Sequence, residues 1–265
     1  MDRFTQLVDS SLWVSRACED DEYETDLSGQ ELARKDISFA NETITEWNQY
    51  ECNLILISTC HATNSLLEFI IKQYRSSSDL HKEFKFDDSQ EDTVFSCFFI
   101  SSVHVIFVVP KYPLDLETTP LIAFRLLELL PQNVPITLIG TLQASNLQSG
   151  LLKVDDLTKR SLHCYGGMNI QKISESWPQL ETPSMATGLS AAVLTESQYQ
   201  NRKSSFFMII DPVSYISRGI LLLFSELITD LISSVNSIPF KSITKSQADS
   251  ILKSCSHPNS HALYL

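Results

Sequence analysis

A chain of 265 residues with 43% hydrophobic and 20% charged residues is long enough to bury a substantial core, and its composition is that of an ordinary globular protein. Its net charge of −12 argues against nucleic-acid binding, because contacts to phosphate groups need clustered Lys and Arg. The basic residues form isolated pairs such as Lys159-Arg160 and Arg202-Lys203, and an acidic surface would steer the chain toward a basic partner.

The first fifty residues are polar and show no sustained hydrophobic periodicity. They include the acidic run Glu19–Glu24, so residues 1–50 are predicted to be a partly flexible leader. They lack the basic start and apolar run of a secretory signal peptide. The six cysteines show no CxxC spacing. We therefore expect a reducing compartment, either the cytoplasm or the nucleus.

A strand followed by a helix is predicted where the polar leader ends. The segment NLILIS, residues 53–58, is a short apolar run typical of a strand buried on both faces. Residues 60–74 then show helical periodicity. The apolar residues on one face of this helix are Leu66, Leu67, Ile70, Ile71 and Tyr74.

The next predicted elements are a β-hairpin, a helix and a strand. The polar segment 75–92 is predicted to be a loop. Residues 93–110 are too rich in β-branched and aromatic side chains for a helix, and Ser101-Ser102 at their centre indicate an antiparallel hairpin. A helix over 118–130 follows, with Pro120 in its first turn. Residues 135–143 then predict another buried strand.

Residues 143–183 are predicted to be rich in loops, and the remaining chain alternates helices and strands. A helix is predicted over 187–200, a strand over 204–211, a long amphipathic helix over 213–235 and a short helix over 246–255. This alternation indicates a single layered α/β/α domain over residues 51–254, with a mixed, mostly parallel sheet and one β-hairpin. The remaining residues, 255–265, are predicted to be a flexible tail.

No membrane span is predicted. The most apolar helix carries Arg218, Glu226 and Asp230, which interrupt it too often for a bilayer.

The sequence contains no convincing catalytic, cofactor-binding or metal-binding residues. It has neither GxGxxG nor a P-loop, and the Gly166-Gly167 pair is more typical of a turn. The six histidines lack metal-ligand spacing. His61 follows Cys60 directly, and such neighbours rarely act as a catalytic pair, so a loop-capping histidine is favoured. Ser242–Lys245, SITK, matches an acyl-transfer pattern, but its residues more simply open the last helix. Asp211-Pro212 is interpreted as a turn after a strand.

Two features carry a family resemblance. Thr187–Asp211, TGLSAAVLTESQYQNRKSSFFMIID, combines a helix, a short basic loop and an apolar strand, and the chain closes on Leu263-Tyr264-Leu265, a hydrophobic-tyrosine-any-residue ending. Both resemble the proteasome assembly chaperone 1 family. Cys52–Ile71 and Pro135–Ser145 fall where that family has a strand-helix unit and a later strand.

The resemblance implies a chaperone without enzymatic activity, built on an α/β core. It implies a heterodimer with proteasome assembly chaperone 2 that promotes assembly of the 20S proteasome α ring. The tail, Leu263, Tyr264 and Leu265, is implied to enter a pocket between adjacent α subunits. The hairpin over 94–109 and the helix over 189–199 are candidates for the heterodimer interface.

Three alternatives remain open at the level of the sequence. The apolar tip could fold back onto the protein's own core as a docked tail or an added edge strand. The α/β succession also admits a small α/β hydrolase or nucleoside-processing enzyme, because a fold does not dictate a function. The apolar helix faces and acidic surface would also allow a general protein-interaction adaptor.

Overall fold

The structure is a computed structural model that describes residues 47, 50–76, 79–85, 93–111, 114, 118–143, 157–164, 171–181, 186–211, 216–236 and 240–255. The predicted leader therefore lies outside the described residues except for Trp47 and Tyr50. The predicted tail lies outside them except for Cys255.

The described residues form one mixed sheet with the strand order β2-β3-β4-β1-β5-β7-β6. The four central strands, β4, β1, β5 and β7, run parallel to one another. The strands outside them pair antiparallel with their neighbours. This arrangement confirms the predicted mixed, mostly parallel sheet. The strands are β1 Leu54–Ser58, β2 Leu80–Lys85, β3 Thr93–Ile100, β4 Val105–Pro110, β5 Ile136–Gln143, β6 Thr158–Cys164 and β7 Ser204–Asp211.

Helices cover both faces of the sheet, because the central strands carry buried side chains on both sides. Every residue of β1, β4 and β7 is buried. Helices α1, α3, α5 and α6 contribute to the core on one face, and α2 and α4 contribute to the core on the other. The predicted α/β/α layering is confirmed. The helices are α1 His61–Tyr74, α2 Thr119–Leu129, α3 Gln171–Ser176, α4 Gly188–Tyr199, α5 Arg218–Val235 and α6 Lys245–Cys255.

The predicted hairpin is confirmed, with β3 and β4 paired antiparallel around Ser101-Ser102. Its turn ends at His104, which has a left-handed φ of 51°. The His104 Nδ1 lies 2.8 Å from the Glu51 carbonyl oxygen, and the Asn53 amide donates to the His104 carbonyl at 2.9 Å. These contacts tie the hairpin turn to the segment that leads into β1.

Two predicted loop regions contain further elements, so those two predictions were wrong. The segment 75–92 contains β2, in which Leu80 and Phe84 pair with Phe99 and Phe95 of β3. The segment 143–183 contains β6 and the short α3. Both strands lie at the edges of the sheet, where few positions are buried and the apolar alternation that marks a strand is weak. Pairing with the main chain of a neighbouring strand decides their conformation: β2 pairs with β3, which follows it in the sequence, and β6 pairs with the more distant β7.

Candidate interaction site

The predicted binding residues Leu263, Tyr264 and Leu265 lie outside the described residues. Their connection to the folded body passes through α6, whose last residue is Cys255. The described residues that precede them in the sequence form α6, which packs against the rest of the domain.

The start of α6 is fixed by Thr244. Its Oγ1 accepts a hydrogen bond from the Gln247 amide at 3.3 Å, and the Gln247 Oε1 accepts one from the Thr244 amide at 2.8 Å. This reciprocal pair satisfies donors that a helix N-terminus otherwise leaves without partners. The SITK segment thus opens the last helix, as the sequence predicted.

One side of α6 and the segment before it pack against α5 and α1. Ala248 and Ile251 are buried in the core that α1 and α5 share. The Ile243 amide donates to Ser225 Oγ of α5 at 2.7 Å, and Arg218 Nε of α5 lies 3.5 Å from Asp249 Oδ1. Helix α6 is therefore joined to α5 and α1 by both apolar and polar contacts. The rings of Tyr74 and Phe240 add a stacked contact with centroids 4.6 Å apart.

A thiol, a hydroxyl and an imidazole meet where α6 ends against α1. Cys255 Sγ donates to Ser65 Oγ at 3.1 Å, and Ser65 Oγ lies 3.4 Å from His61 Nδ1. Cys60, the sequence neighbour of His61, instead places its sulfur 3.3 Å from Thr63 Oγ1. The structure therefore pairs His61 with Cys255. Sequence reasoning missed this contact because no local signal joins residues 190 positions apart, as Cys255 and Ser65 are.

The two titratable members of this cluster shift in opposite directions. Burial raises the pKa of the Cys255 thiol, but hydrogen bonds from His61, Ser65 and Ser254 outweigh it, and the pKa lies below its ordinary value. The hydrogen bond to Cys255 raises the pKa of His61. Both directions favour a thiolate facing an imidazolium.

Three other cysteines have a raised pKa, in contrast to the lowered pKa of Cys255. Burial raises the pKa of Cys52 to about 11. It also raises the pKa of the Cys97 and Cys164 thiols. Desolvation disfavours the thiolate form of these three cysteines, and no imidazole offsets this effect.

The two predicted interface candidates differ in how accessible they are. The hairpin lies inside the sheet between β2 and β1, and β4 is buried along its whole length, although Ser101 and Ser102 at its turn are exposed. On α4, the side chain of Tyr199 is 82% exposed. Phe124 on α2, which packs beside α4, is 37% exposed. These two aromatic rings are the large hydrophobic side chains that the described surface exposes.

The described residues contain no cluster of three or more His, Cys, Asp or Glu side chains that could hold a metal ion. Asp211, the last residue of β7, is buried and pairs with Gln143 of β5. His163 bridges two strands, with Nδ1 2.9 Å from Ser205 Oγ and Nε2 3.0 Å from Ser161 Oγ.

Among the described helices, none has the length and apolar character needed to cross a membrane.

Comparison with known proteins gives relatives by structure alone. No protein-family model matches the sequence, and no curated protein matches it. A Thermoplasma acidophilum protein of unknown function is similar with a TM-score of 0.59 and 11% identity, over 82% of this chain and 91% of that one. Pyrococcus furiosus PbaA, an archaeal homolog of proteasome-assembly chaperone, is similar with a TM-score of 0.53 and 13% identity, over 80% of this chain and 92% of that one. A monoclinic form of PbaA gives a TM-score of 0.52 and 12% identity, over 80% of this chain and 86% of that one. The chain therefore shares its fold with an archaeal homolog of proteasome-assembly chaperone.

Proposed function

We propose that this chain is a proteasome assembly chaperone of the chaperone 1 type. It pairs with proteasome assembly chaperone 2, and the heterodimer promotes assembly of the 20S proteasome α ring in the cytoplasm and the nucleus. The tail residues Leu263, Tyr264 and Leu265 enter a pocket between adjacent α subunits.

The observation that carries the proposal is the fold shared with PbaA over 80% of this chain. The sequence block that carries the family resemblance, Thr187–Asp211, supports it further. This block forms α4, a turn with Asn201 at a left-handed φ of 55°, and the fully buried β7. The resemblance therefore extends to residues at the centre of the fold as well as to the tail.

The chemistry of the tail suits insertion into a partner. Burial of Leu263 would contribute about 1.5–3 kcal/mol of binding free energy. Tyr264 combines an apolar ring with a hydroxyl that can bond at the rim of a pocket. The carboxylate of Leu265 can pair with a basic side chain in a charge-assisted contact. The residues from Ser256 to His261 have the polar composition that suits a tether.

A truncation separates insertion from docking on the protein's own core. The chain is co-expressed with a chaperone 2 homologue, and its binding to free α subunits is measured for the wild type and for a variant lacking Leu263–Leu265. Since 1.4 kcal/mol is a factor of ten, loss of the Leu263 contact alone should weaken binding by about 10-fold or more. The melting temperature should stay unchanged. A lower melting temperature with unchanged binding would favour the docked tail.

Two further variants test which part of the tip is recognised. One extra alanine after Leu265 keeps every side chain but displaces the carboxylate, so binding should weaken if that group is paired. Asn259→Ala changes the stem alone and should bind like the wild type. Failure of the wild-type chain to recover α subunits and one similar-sized partner in a pull-down would contradict the proposed function itself.

A further inference from the structure

We propose that Cys255 is a site of reversible thiol modification, at which His61 and Ser65 assist exchange with small disulfides. This inference is independent of the proposed function, because it depends only on contacts within the described fold.

The geometry places the three groups in a chain at the junction of α6 and α1. The thiol of Cys255 donates to Ser65 Oγ at 3.1 Å, and this oxygen lies 3.4 Å from His61 Nδ1. Ser65 Oγ also donates to the His61 carbonyl at 3.1 Å, which holds the hydroxyl beside the imidazole. Cys255 is partly exposed, as are Cys52, Cys60 and Cys164, whereas Cys97 is buried. A small disulfide in solution can therefore reach it.

The surrounding charges favour the reactive form of the thiol. His61 and Cys255 stabilise each other's charged forms, and Glu68 of α1 also favours protonation of His61. The charged groups on the packed elements include Lys253 in the last turn of α6, Lys72 on α1, and the Arg218–Asp249 pair between α5 and α6. A thiolate next to an imidazolium is the arrangement in which a cysteine reacts below its ordinary pKa.

The reaction is an exchange between sulfur atoms. The Cys255 thiolate attacks one sulfur of a low-molecular-weight disulfide, so that a new S–S bond forms while the disulfide's own S–S bond breaks. The second sulfur leaves as a thiolate and takes up a proton from the His61 imidazolium or water. Cys255 is oxidised and the departing thiol is reduced. An excess of small thiol reverses the reaction.

Attachment of a group to the sulfur also has a structural effect. In its thiol form Cys255 Sγ donates to Ser65 Oγ, and a modified sulfur cannot make this bond in either protonation state. An adduct larger than a few atoms would also separate the last turn of α6 from α1. The modification would therefore loosen the contact between the last turn of α6 and α1.

The experiment measures the reactivity of each cysteine in the full, reduced chain. Iodoacetamide is used as the alkylating probe and oxidised glutathione as the disulfide, and peptide mass spectrometry gives a rate for each cysteine between pH 5 and 9. The pH midpoint for Cys255 should lie below that of the same residue in the urea-unfolded chain. Oxidised glutathione should modify Cys255 in preference to Cys52, Cys97 and Cys164. If Cys255 had the same pH midpoint in the folded and the unfolded chain, the proposal would be overturned.

Substitutions then identify the assisting group. His61→Gln should raise the pH midpoint of Cys255 and slow its reaction at pH 6 by about 10-fold. His163→Gln is the matched control, since His163 lies against Ser161 and Ser205 and should leave the Cys255 profile unchanged. Ser65→Ala removes a single hydrogen bond and should cause a smaller rise. If neither His61→Gln nor Ser65→Ala moves the profile, the cluster does not assist the thiol.

Discussion

Arg202 is a buried cation that stabilises the end of α2. Its side chain is 3% exposed, with Nη1 donating to the Leu127 carbonyl at 2.7 Å and Nη2 to the Pro131 carbonyl at 2.6 Å. Burial lowers the pKa of Arg202 to about 10. The guanidinium thus takes the place of main-chain donors that are lacking at a helix C-terminus, where a positive charge is also favoured by the helix dipole.

Substitution of Arg202 should destabilise the fold. Arg202→Met leaves two carbonyl oxygens near the end of α2 without their donors, and we expect a loss of about 3 kcal/mol in the free energy of unfolding. Urea denaturation measures this loss. Lys203→Met is the matched control, because Lys203 is exposed, and it should change stability by about 0.5 kcal/mol at most. Equal losses from the two variants would contradict the assigned role.

The sequence presents Arg202 and Lys203 as an equivalent basic pair. Nothing local distinguishes them, because the partners of Arg202 lie about 70 residues earlier in the chain. The Cys255–His61 pairing escaped sequence analysis for the same reason. Residue roles that depend on such long-range contacts follow from the fold and cannot be deduced from a motif.

At the scale of elements, Gly140 allows β5 to lie beside the segment that follows β1. A Cβ at this position would come 1.9 Å from Thr59 Oγ1 and 3.2 Å from Thr59 Cβ. The Thr59 hydroxyl donates to the carbonyl of Ile139 at 3.1 Å, next to the glycine. Because Gly140 has no side chain, the Thr59 hydroxyl can lie close enough to β5 to hydrogen-bond to its main chain.

Gly140→Ala should destabilise the sheet by about 1–3 kcal/mol, because the new methyl group overlaps the Thr59 hydroxyl and the strands must separate. Thermal unfolding followed by circular dichroism measures this effect. The double variant Gly140→Ala with Thr59→Ala should recover part of the loss. Gly219→Ala is a control in α5, where the new Cβ would lie 3.1 Å from the end of the Leu157 side chain and 3.7 Å from Ser217 Oγ, and should be nearly neutral.

The predictability of the elements follows their position in the sheet. The central strands were predicted because every residue of β1, β4 and β7 is buried, which leaves continuous apolar runs in the sequence. The edge strands β2 and β6 were missed because half-buried strands mix polar and apolar residues without a clear period. Helices α1 and α5 were predicted from apolar positions that recur at helical spacing, and α2 from a proline in its first turn.

For the whole molecule, the core includes a residue that lies before the first predicted strand. Trp47 is fully buried and belongs to the core on the α2 and α4 face. Tyr50 packs on Phe99 of β3 with ring centroids 4.8 Å apart. The packed unit therefore extends at least to Trp47.

Trp47→Ala should lower the free energy of unfolding by about 3–5 kcal/mol, because it leaves a large cavity in the core. Guanidinium denaturation of the full chain measures the change. Tyr199→Ala provides an aromatic control at an exposed position and should cost about 0.5 kcal/mol at most. If the two substitutions cost the same, Trp47 does not contribute to the core as its burial indicates.

The position of β1 at the centre of the sheet has a consequence during protein synthesis. Its neighbours β4 and β5 both follow it in the sequence, with Leu54 pairing to Val105 and Ile55 to Ile136. A ribosome that adds roughly 5–20 residues per second needs about 3–10 s to make the chain between Leu54 and Val105, and longer to reach Ile136. During this time the apolar segment LILIS has no strand partner. The nascent chain therefore carries an unpaired apolar strand, and with it a risk of aggregation, until β4 and β5 have been made.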